Sequence, residues 1–349
     1  MKQIAFFTFF AVIIAVTGFA QANLQTVATV NLTRTENITV GQLRTEVEKF
    51  EKAAGRSLTA DERRQVLDGM INERLTLQAA ARDRITVTDN EVNQQMNQLR
   101  AQMAQVTGRQ PTDAEFEAAI RNETGLGLPA FREQVQRQLT MQRYLLEKKR
   151  STIENVRNPT DAEVLNAYTL ARSQLVRPQT VRFSMIQVPF GADAASKNRA
   201  RDLANRLVRE IGTNPSRFDE VVVRGQAPNS GYQAGDGGYL PRNMEAARIV
   251  GQDFINAAFT LRQGQVSALI EGQIGFQIIK ITEAYEQKLL ELDDIFQLGT
   301  RITVREFITQ GILQERQAAA VAQATEELVT ELRANRGAFT IIDRHLNNW

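Results

Sequence analysis

The chain has 349 residues, with 42 basic and 40 acidic side chains and a formal net charge of +2. This near balance argues against a nucleic-acid binder, which would carry a basic stripe. The sequence contains no cysteine and one histidine, His345, which we interpret as a solvated tail residue. Catalytic sites that need a histidine base, and zinc sites built from histidine and cysteine, are therefore excluded, and no metal or other cofactor is expected.

The N-terminus has the pattern of a signal peptide. Lys2 supplies the positive charge, Ile4 to Phe19 is mostly apolar, and Ala20-Gln21-Ala22 gives the small residues that a signal peptidase needs. The alternative is a retained anchor, but a spanning helix needs about 20 apolar residues and this run is shorter. We predict a signal peptide over 1–22, cleaved near Ala22. The mature protein is then expected in the periplasm, without a transmembrane segment and without disulfides.

Helix starts are clearly marked in the first half of the chain. In a capping box, a threonine and a glutamate or glutamine three residues later satisfy backbone donors at a helix N-terminus. Apolar residues such as Leu67, Ile71 and Leu75 then recur at helical spacing. We predict a helical N-terminal domain over 23–175, with one short strand at 26–30. The boxes lie at Thr39–Gln42, Thr59–Glu62, Thr88–Glu91, Thr112–Glu115 and Thr160–Glu163.

The pattern changes to mixed strands and helices over 176–285. Val181 to Val188 is typical of a strand and Asn198 to Ile211 of an amphipathic helix. A glycine-rich stretch follows, and then a short helix and two strand-like runs. We predict a small α+β domain here, with the later elements at 231–238, 254–261, 266–270 and 276–281.

The last segment, 286–349, returns to a helical pattern that ends at Gly337 and is followed by the strand-like residues 339–342. A lone strand leaves its backbone polar groups without partners, and the strand at 26–30 has the same problem. We therefore predict that these two segments pair. The C-terminal helix and strand would then pack on the N-terminal domain and complete it, and the α+β domain would be an insertion.

Four blocks of the α+β domain carry a resemblance to a known family. In order and spacing they are similar to the signature blocks of parvulin-type peptidyl-prolyl isomerases. With the signal peptide and the helical regions, the whole chain resembles a SurA/PrsA-type periplasmic chaperone. The resemblance implies an α+β protein in which a helical chaperone domain holds an inserted parvulin-like domain of antiparallel sheet flanked by helices. The blocks are Gly235–Leu240, Phe254–Leu261, Gly264–Ser267 and Gly275–Ile279.

The resemblance also implies a polar site, at which parvulins usually carry two histidines and a cysteine or aspartate. Met185 stands at the first histidine position and Gln277 at the second. The third position falls around 227–229, where neither cysteine nor aspartate occurs. No catalytic residue is therefore assigned, and Met185 and Gln277 are treated as degenerate positions. The alternative is that both are ordinary sheet residues.

The apolar side of the family's proline pocket is better preserved. Phe254 matches the proline-contacting phenylalanine, Leu240 a wall residue and Met244 the pocket methionine. We predict these three residues and Gln277 as substrate-binding residues. An insertion between Met244 and Phe254 disturbs the rim, and Leu240 and Phe254 are equally compatible with the core of a small domain.

These residues favour binding over catalysis. Rotation about a prolyl bond needs no general base, and one neutral hydrogen bond from Gln277 would contribute about 0.5–1.5 kcal/mol, or about tenfold in rate at most. We therefore predict weak or no isomerase activity. The favoured function is a folding chaperone for unfolded, proline-containing exported polypeptides, with outer-membrane proteins implied by the resemblance. The alternatives are an active isomerase and, less favoured, an adhesin or structural protein.

Overall fold

The computed structural model describes residues 23–212, 214–227 and 229–346, so the predicted signal peptide lies outside the described residues. The described chain forms two compact units, which are treated separately below. Unit 1 combines residues 23–156 with 315–346, and unit 2 comprises residues from 157 to 314. Every helix in these ranges is too short or too polar to cross a membrane.

The sheet of unit 1 joins the two ends of the described chain. Strand β1 (Thr26–Val30) pairs antiparallel with β2 (Glu36–Thr39) on one side and with β9 (Phe339–Ile341) on the other. Ala28 lies opposite Ile341. The predicted pairing of the N-terminal and C-terminal strands is therefore confirmed, whereas β2 was not predicted.

Helices make up the rest of unit 1, and their starts follow the capping boxes. At Thr39, Thr59 and Thr88 the threonine side chain accepts a backbone N–H and the third helical residue accepts from the threonine N–H, as predicted. Thr112 caps its helix in the same way. The helices are α1 (Val40–Ala54), α2 (Ala60–Arg82), α3 (Asp89–Thr107), α4 (Asp113–Thr124), α5 (Leu128–Lys148), α6 (Arg150–Glu154), the later part of α12 (Val304–Arg333) and α13 (Asp343–Leu346).

Unit 1 contains two hydrophobic cores. One lies between the sheet, α2 and α12 and includes Ile38, Leu67 and Leu328, whereas the other joins α3, α4 and α5 around Met96. The interpretation of His345 as a solvated tail residue is wrong. Its Nδ1 lies 2.7 Å from the carbonyl oxygen of Thr26, because α13 packs on β1.

Unit 2 is built on a four-stranded antiparallel sheet in the order β5-β4-β7-β6. Helices α8 and α9 pack on the face that carries Ile186 and Ile278. Helices α10 and α11 pack on the other face, which carries Phe183 and Ile279. The predicted α+β class, with an inserted antiparallel sheet flanked by helices, is confirmed. The elements are β4 (Thr180–Pro189), α8 (Ala194–Ile211), α9 (Pro215–Gly225), β5 (Gln233–Pro241), α10 (Met244–Val250), α11 (Gln252–Thr260), β6 (Ile270–Glu271) and β7 (Gly275–Tyr285).

Unit 2 also includes chain on both sides of the segment predicted as the parvulin-like domain. Helix α7 (Asp161–Ala171), the two-stranded pair β3 (Val176–Arg177) and β8 (Lys288–Leu289), and the start of α12 belong to it. A further core holds these pieces together, in which the Tyr168 hydroxyl donates to the Leu290 carbonyl oxygen at 3.1 Å. The domain limits of 176 and 285 stay a prediction, and the compact unit is wider because of this core.

Candidate functional site

The two degenerate positions, Met185 and Gln277, lie on neighbouring strands. In the pairing of β4 with β7, Met185 is opposite Ile279 and Gln187 is opposite Gln277. Side chains alternate between the two faces along a strand, so Met185 and Gln277 share a face as diagonal neighbours, at a spacing of about 7–8 Å. This face is the one that α10 and α11 cover. The structure thus brings together the two positions that the resemblance pairs.

Gln277 is a buried polar residue whose amide is incompletely bonded. The residue is 8% exposed, and its Oε1 has no hydrogen-bond partner among the described residues. The backbone of Gly272 lies over the amide, since a Cβ at Gly272 would be 2.9 Å from Oε1. A buried acceptor without a partner costs about 1–3 kcal/mol, and such a group calls for an explanation such as a bound ligand or water.

Met185 contributes an apolar group to the same face. It is half-buried and packs against the cluster formed by Phe183, Phe254 and Ile279. A thioether and a neutral amide therefore stand where the resemblance expects two imidazoles. Neither group exchanges protons near neutral pH, and the side chain opposite Gln277 on this face is the neutral amide of Gln187, so the face offers packing and neutral hydrogen-bonding groups.

Leu240 and Phe254 lie inside the core of unit 2. Phe254 is 2% exposed and makes an edge-on contact with Phe183, with ring centroids 5.2 Å apart and an interplanar angle of 70°. Leu240, at the end of β5, is also buried in this cluster. Core packing is the role that their burial supports directly, and their predicted role in substrate binding stays a prediction.

The structure does not bring Met244 to this cluster. Met244 is the first residue of α10 and is 83% exposed, because the Asn243 side chain caps the helix there by accepting the Ala246 N–H at 2.8 Å. Val250, at the other end of α10, packs against the cluster instead. Sequence reasoning missed Val250. The insertion between Met244 and Phe254 was the available signal, because extra residues there change which residue of α10 reaches the cluster.

The glycine-rich block of β5 has a packing role. A Cβ at Gly237 would lie 2.2 Å from the ring of Phe183, and Gly238 has a φ of +77°. The register between β4 and β5 shifts at this point, which lets Phe183 reach under β5 toward Phe254. Asp236 accepts a hydrogen bond from Arg182 at 2.6 Å, and this bond holds the pKa of the Asp236 carboxyl below its ordinary value. The third family position, around 227–229, includes residue 228, which lies outside the described residues.

Two family models match the chain. A SurA-like N-terminal domain matches residues 1–145, and a PPIC-type peptidyl-prolyl isomerase domain matches residues 183–283. Together with the fold, these matches define a parvulin-type chaperone in which a SurA-like helical domain is combined with an isomerase-like domain.

The chain is also similar to several named proteins over most or much of its length. Foldase protein PrsA of Clostridium botulinum is 22% identical over 282 residues, which is 80% of this chain and 75% of that protein. Chaperone SurA of Vibrio cholerae is 28% identical over 223 residues, 63% of this chain but only 47% of that protein. Among solved structures, one from a study of the SurA-like chaperones PEB4 and Cj1289 of Campylobacter jejuni has 12% identity and a TM-score of 0.36, covering 91% of this chain and 98% of that one. The chain is therefore similar to SurA/PrsA-like proteins and carries a match to a PPIC-type isomerase domain.

Proposed function

We propose that the protein is a periplasmic folding chaperone that binds unfolded exported polypeptides, and that its parvulin-like domain has little or no isomerase activity. The observation that supports this most is the pair of Met185 and Gln277 on one sheet face. These residues replace two imidazoles by a thioether and by an amide whose Oε1 lacks a partner. The relatives named chaperone and foldase support the same general role.

The chemistry of Gln277 limits what this face can catalyse. One neutral hydrogen bond contributes about 0.5–1.5 kcal/mol, which corresponds to about tenfold in rate at best. The buried oxygen is nevertheless available to an N–H of a bound segment if the chain at Gly272 moves aside. A domain of this kind is suited to holding a proline-containing segment without turning it over quickly.

The proposed clients are extended segments of exported proteins. The signal peptide predicted over 1–22 supports a location outside the cytoplasm, and exported segments that are still unfolded are the clients we propose there. Outer-membrane proteins are the clients that the resemblance to SurA implies. Leu240, Phe254 and Gln277 are the residues proposed to contact a client in the parvulin-like domain, after local opening of the core.

The experiment measures two activities on one preparation of the protein. We expect a stoichiometric amount to suppress aggregation of a chemically unfolded client, and we expect isomerisation of a proline tetrapeptide to stay within about tenfold of the uncatalysed rate. In the variant Gln277→Met, which loses one proposed hydrogen bond to the client, suppression of aggregation should weaken by at most about tenfold. No suppression by the wild-type protein would reject the chaperone. A fast isomerisation that Gln277→Met and Phe254→Ala both abolish would establish the enzyme instead.

A further inference from the structure

A groove in unit 1 lies outside the site discussed so far. It is found between α3 and α5 and has a volume of about 420 Å³. Ligand sites commonly have volumes of about 300–1,000 Å³, so the groove has room for a short stretch of polypeptide. We call it the glutamine groove, because four glutamines line it: Gln94, Gln95, Gln98 and Gln142.

The amides of these glutamines are available for binding. In the described part of the chain, none of the four side chains makes a hydrogen bond. Apolar groups lie beside them, from Val87 and Leu139, which pack on the core, to Leu146, which is 52% exposed. The groove therefore alternates free amides with apolar surface.

The charged residues of the groove do not select a charged ligand. Glu91 and Arg143 bond to each other, and Arg143 also donates to the Thr86 carbonyl oxygen at 2.6 Å. Glu147 and Arg150, on the rim, carry opposite charges. Two acids and two bases leave no net charge, which argues against an anionic or cationic ligand.

A glutamine amide has the hydrogen-bonding groups of a peptide group, with N–H donors and a carbonyl acceptor. Unit 1 already contains glutamines that bind main chain, and Gln78 is the buried example. The Oε1 of Gln78 accepts the backbone N–H groups of Leu32 and Thr33, each at 3.0 Å. The free amides of the groove have the same capacity for a chain that comes from outside.

We propose that the glutamine groove binds the main chain of an extended segment of an unfolded polypeptide. The amides of Gln98 and Gln142 bond its peptide groups, and Leu139 and Leu146 contact its apolar side chains. Recognition of the main chain is independent of sequence, as a chaperone with many clients requires. This inference rests on the proposed function and adds to it a site in unit 1 with a defined chemistry. A second copy of the protein is a poorer occupant, because a stable interface needs a more apolar centre than four amides provide.

The experiment compares two pairs of substitutions in the full chain. Gln98→Met with Gln142→Met removes amides from the groove, whereas Gln105→Met with Gln138→Met removes exposed amides from the same two helices outside it. Methionine is a good helix former, so both variants should fold. The probe is a fluorescent twelve-residue peptide of alternating alanine and leucine. We expect about tenfold weaker binding for the groove variant, and wild-type binding for the control variant.

A second probe separates main chain from side chains. The same peptide with N-methyl groups on alternate residues loses peptide N–H donors but keeps its side chains. We expect N-methylation to weaken binding to the wild-type protein by about tenfold, and to have little further effect on the groove variant. Such coupling would place the lost peptide N–H groups against the glutamine amides.

The outcomes distinguish this inference from the proposed function. Equal binding by the groove and control variants, with aggregation of a client still suppressed, would overturn the groove and leave the chaperone intact. Equal binding of the methylated and unmethylated peptides to the wild-type protein would overturn recognition of the main chain. A change in sedimentation of the groove variant, without a change in peptide affinity, would make the groove a self-association surface and overturn the proposal. Absence of any binding or suppression by the wild-type protein would reject both.

Discussion

Among the described residues, each unit buries one glutamine, and the two differ in how fully their side-chain amides are hydrogen-bonded. Gln78 in unit 1 is 2% exposed, and its Oε1 accepts three backbone N–H groups from residues 32–34 while its Nε2 donates to Glu36. Gln277 in unit 2 is almost as buried, yet its Oε1 has no partner among the described residues. A buried amide stabilises a fold only when its groups are bonded. Gln78 therefore acts as a brace for the turn between β1 and β2, whereas Gln277 is retained at a cost.

The surroundings of Gln78 show how complete that brace is. Burial alone would raise the pKa of Glu36, but hydrogen bonds from Arg34, Gln78 and Arg74 outweigh it, and the pKa lies below its ordinary value. The carboxylate stays ionised and holds the glutamine amide in place. The turn, the glutamine and the glutamate thus form one bonded group.

The largest effect should come from breaking this group. Gln78→Met leaves the N–H groups of Leu32 and Thr33 without an acceptor. It also removes the hydrogen bond that Gln78 donates to the Glu36 carboxylate. We expect the free energy of unfolding of unit 1 to fall by about 3 kcal/mol, since each unsatisfied buried group costs about 1–3 kcal/mol. Urea denaturation measures the loss, and hydrogen exchange of residues 26–39 assigns it to unit 1. A loss below about 1 kcal/mol would contradict the role of a brace.

The same substitution in unit 2 tests the other half of the comparison. Gln277→Met removes an acceptor that has no partner, so we expect stability to change by less than about 1 kcal/mol, in the direction of greater stability. Hydrogen exchange of β7 amides, measured beside the urea transition, reports on this strand. A loss of about 2 kcal/mol or more would mean that Oε1 is bonded in solution, for example to an ordered water.

A smaller effect than that of Gln78→Met should come from the glycine that covers Gln277. Gly272→Ala places a Cβ 2.9 Å from Oε1, and we expect a loss of about 1 kcal/mol from overpacking. The loss should disappear when the substitution is made in a Gln277→Ala background, because the opposing amide is then absent. A double-mutant cycle gives this coupling. Gly235→Ala is the matched control, since a Cβ there meets no atom within 4 Å. Equal losses in both backgrounds would show that the amide lies elsewhere.

The smallest effect concerns exposed polar groups, where solvent competes with every bond. Hydrogen bonds from Arg143 and from the Thr88 N–H lower the pKa of Glu91 from 4.5 to about 2. Because this pKa is lowered on folding, the stabilisation is present above pH 4.5 and is lost as the pH falls toward 2. A carbon-13 NMR titration should find this midpoint in the wild-type protein and a higher one in Arg143→Met. Glu306, which caps its helix without an arginine, should titrate above Glu91. An unchanged midpoint in the variant would remove Arg143 as the cause.

The parts of the fold that sequence predicted are those with local or obligatory chemistry. A threonine and a glutamate three residues apart satisfy the backbone donors of a helix start within one turn of chain, as at Thr88. The pairing of β1 with β9 followed from the need to bond two lone strands. Strand β2 was missed because only Ile38 among its four residues is buried, which leaves no alternation to detect.

The site was less predictable, because a motif records which residues recur and not how far each is buried. Gln277 and Met185 were paired correctly on one face, since strand alternation decides it. The burial of Phe254 and the exposure of Met244 depend on where α10 begins and ends, which a local insertion changes. The glutamine groove had no sequence signal, because free amides on helix surfaces follow no recognisable spacing.

The pairing of β1 with β9 has a consequence for how the chain folds as it is synthesised. One edge of β1 gains its partner, β9, only after about 300 further residues have been made. Contacts between residues so far apart in sequence raise the contact order and form slowly. Unit 2 is continuous in sequence and has no such delay. The inserted unit is therefore free to fold first, while an open strand edge, a known template for aggregation, waits for the end of the chain. Unit 1 thus keeps an exposed strand edge until the last residues of the chain have been made.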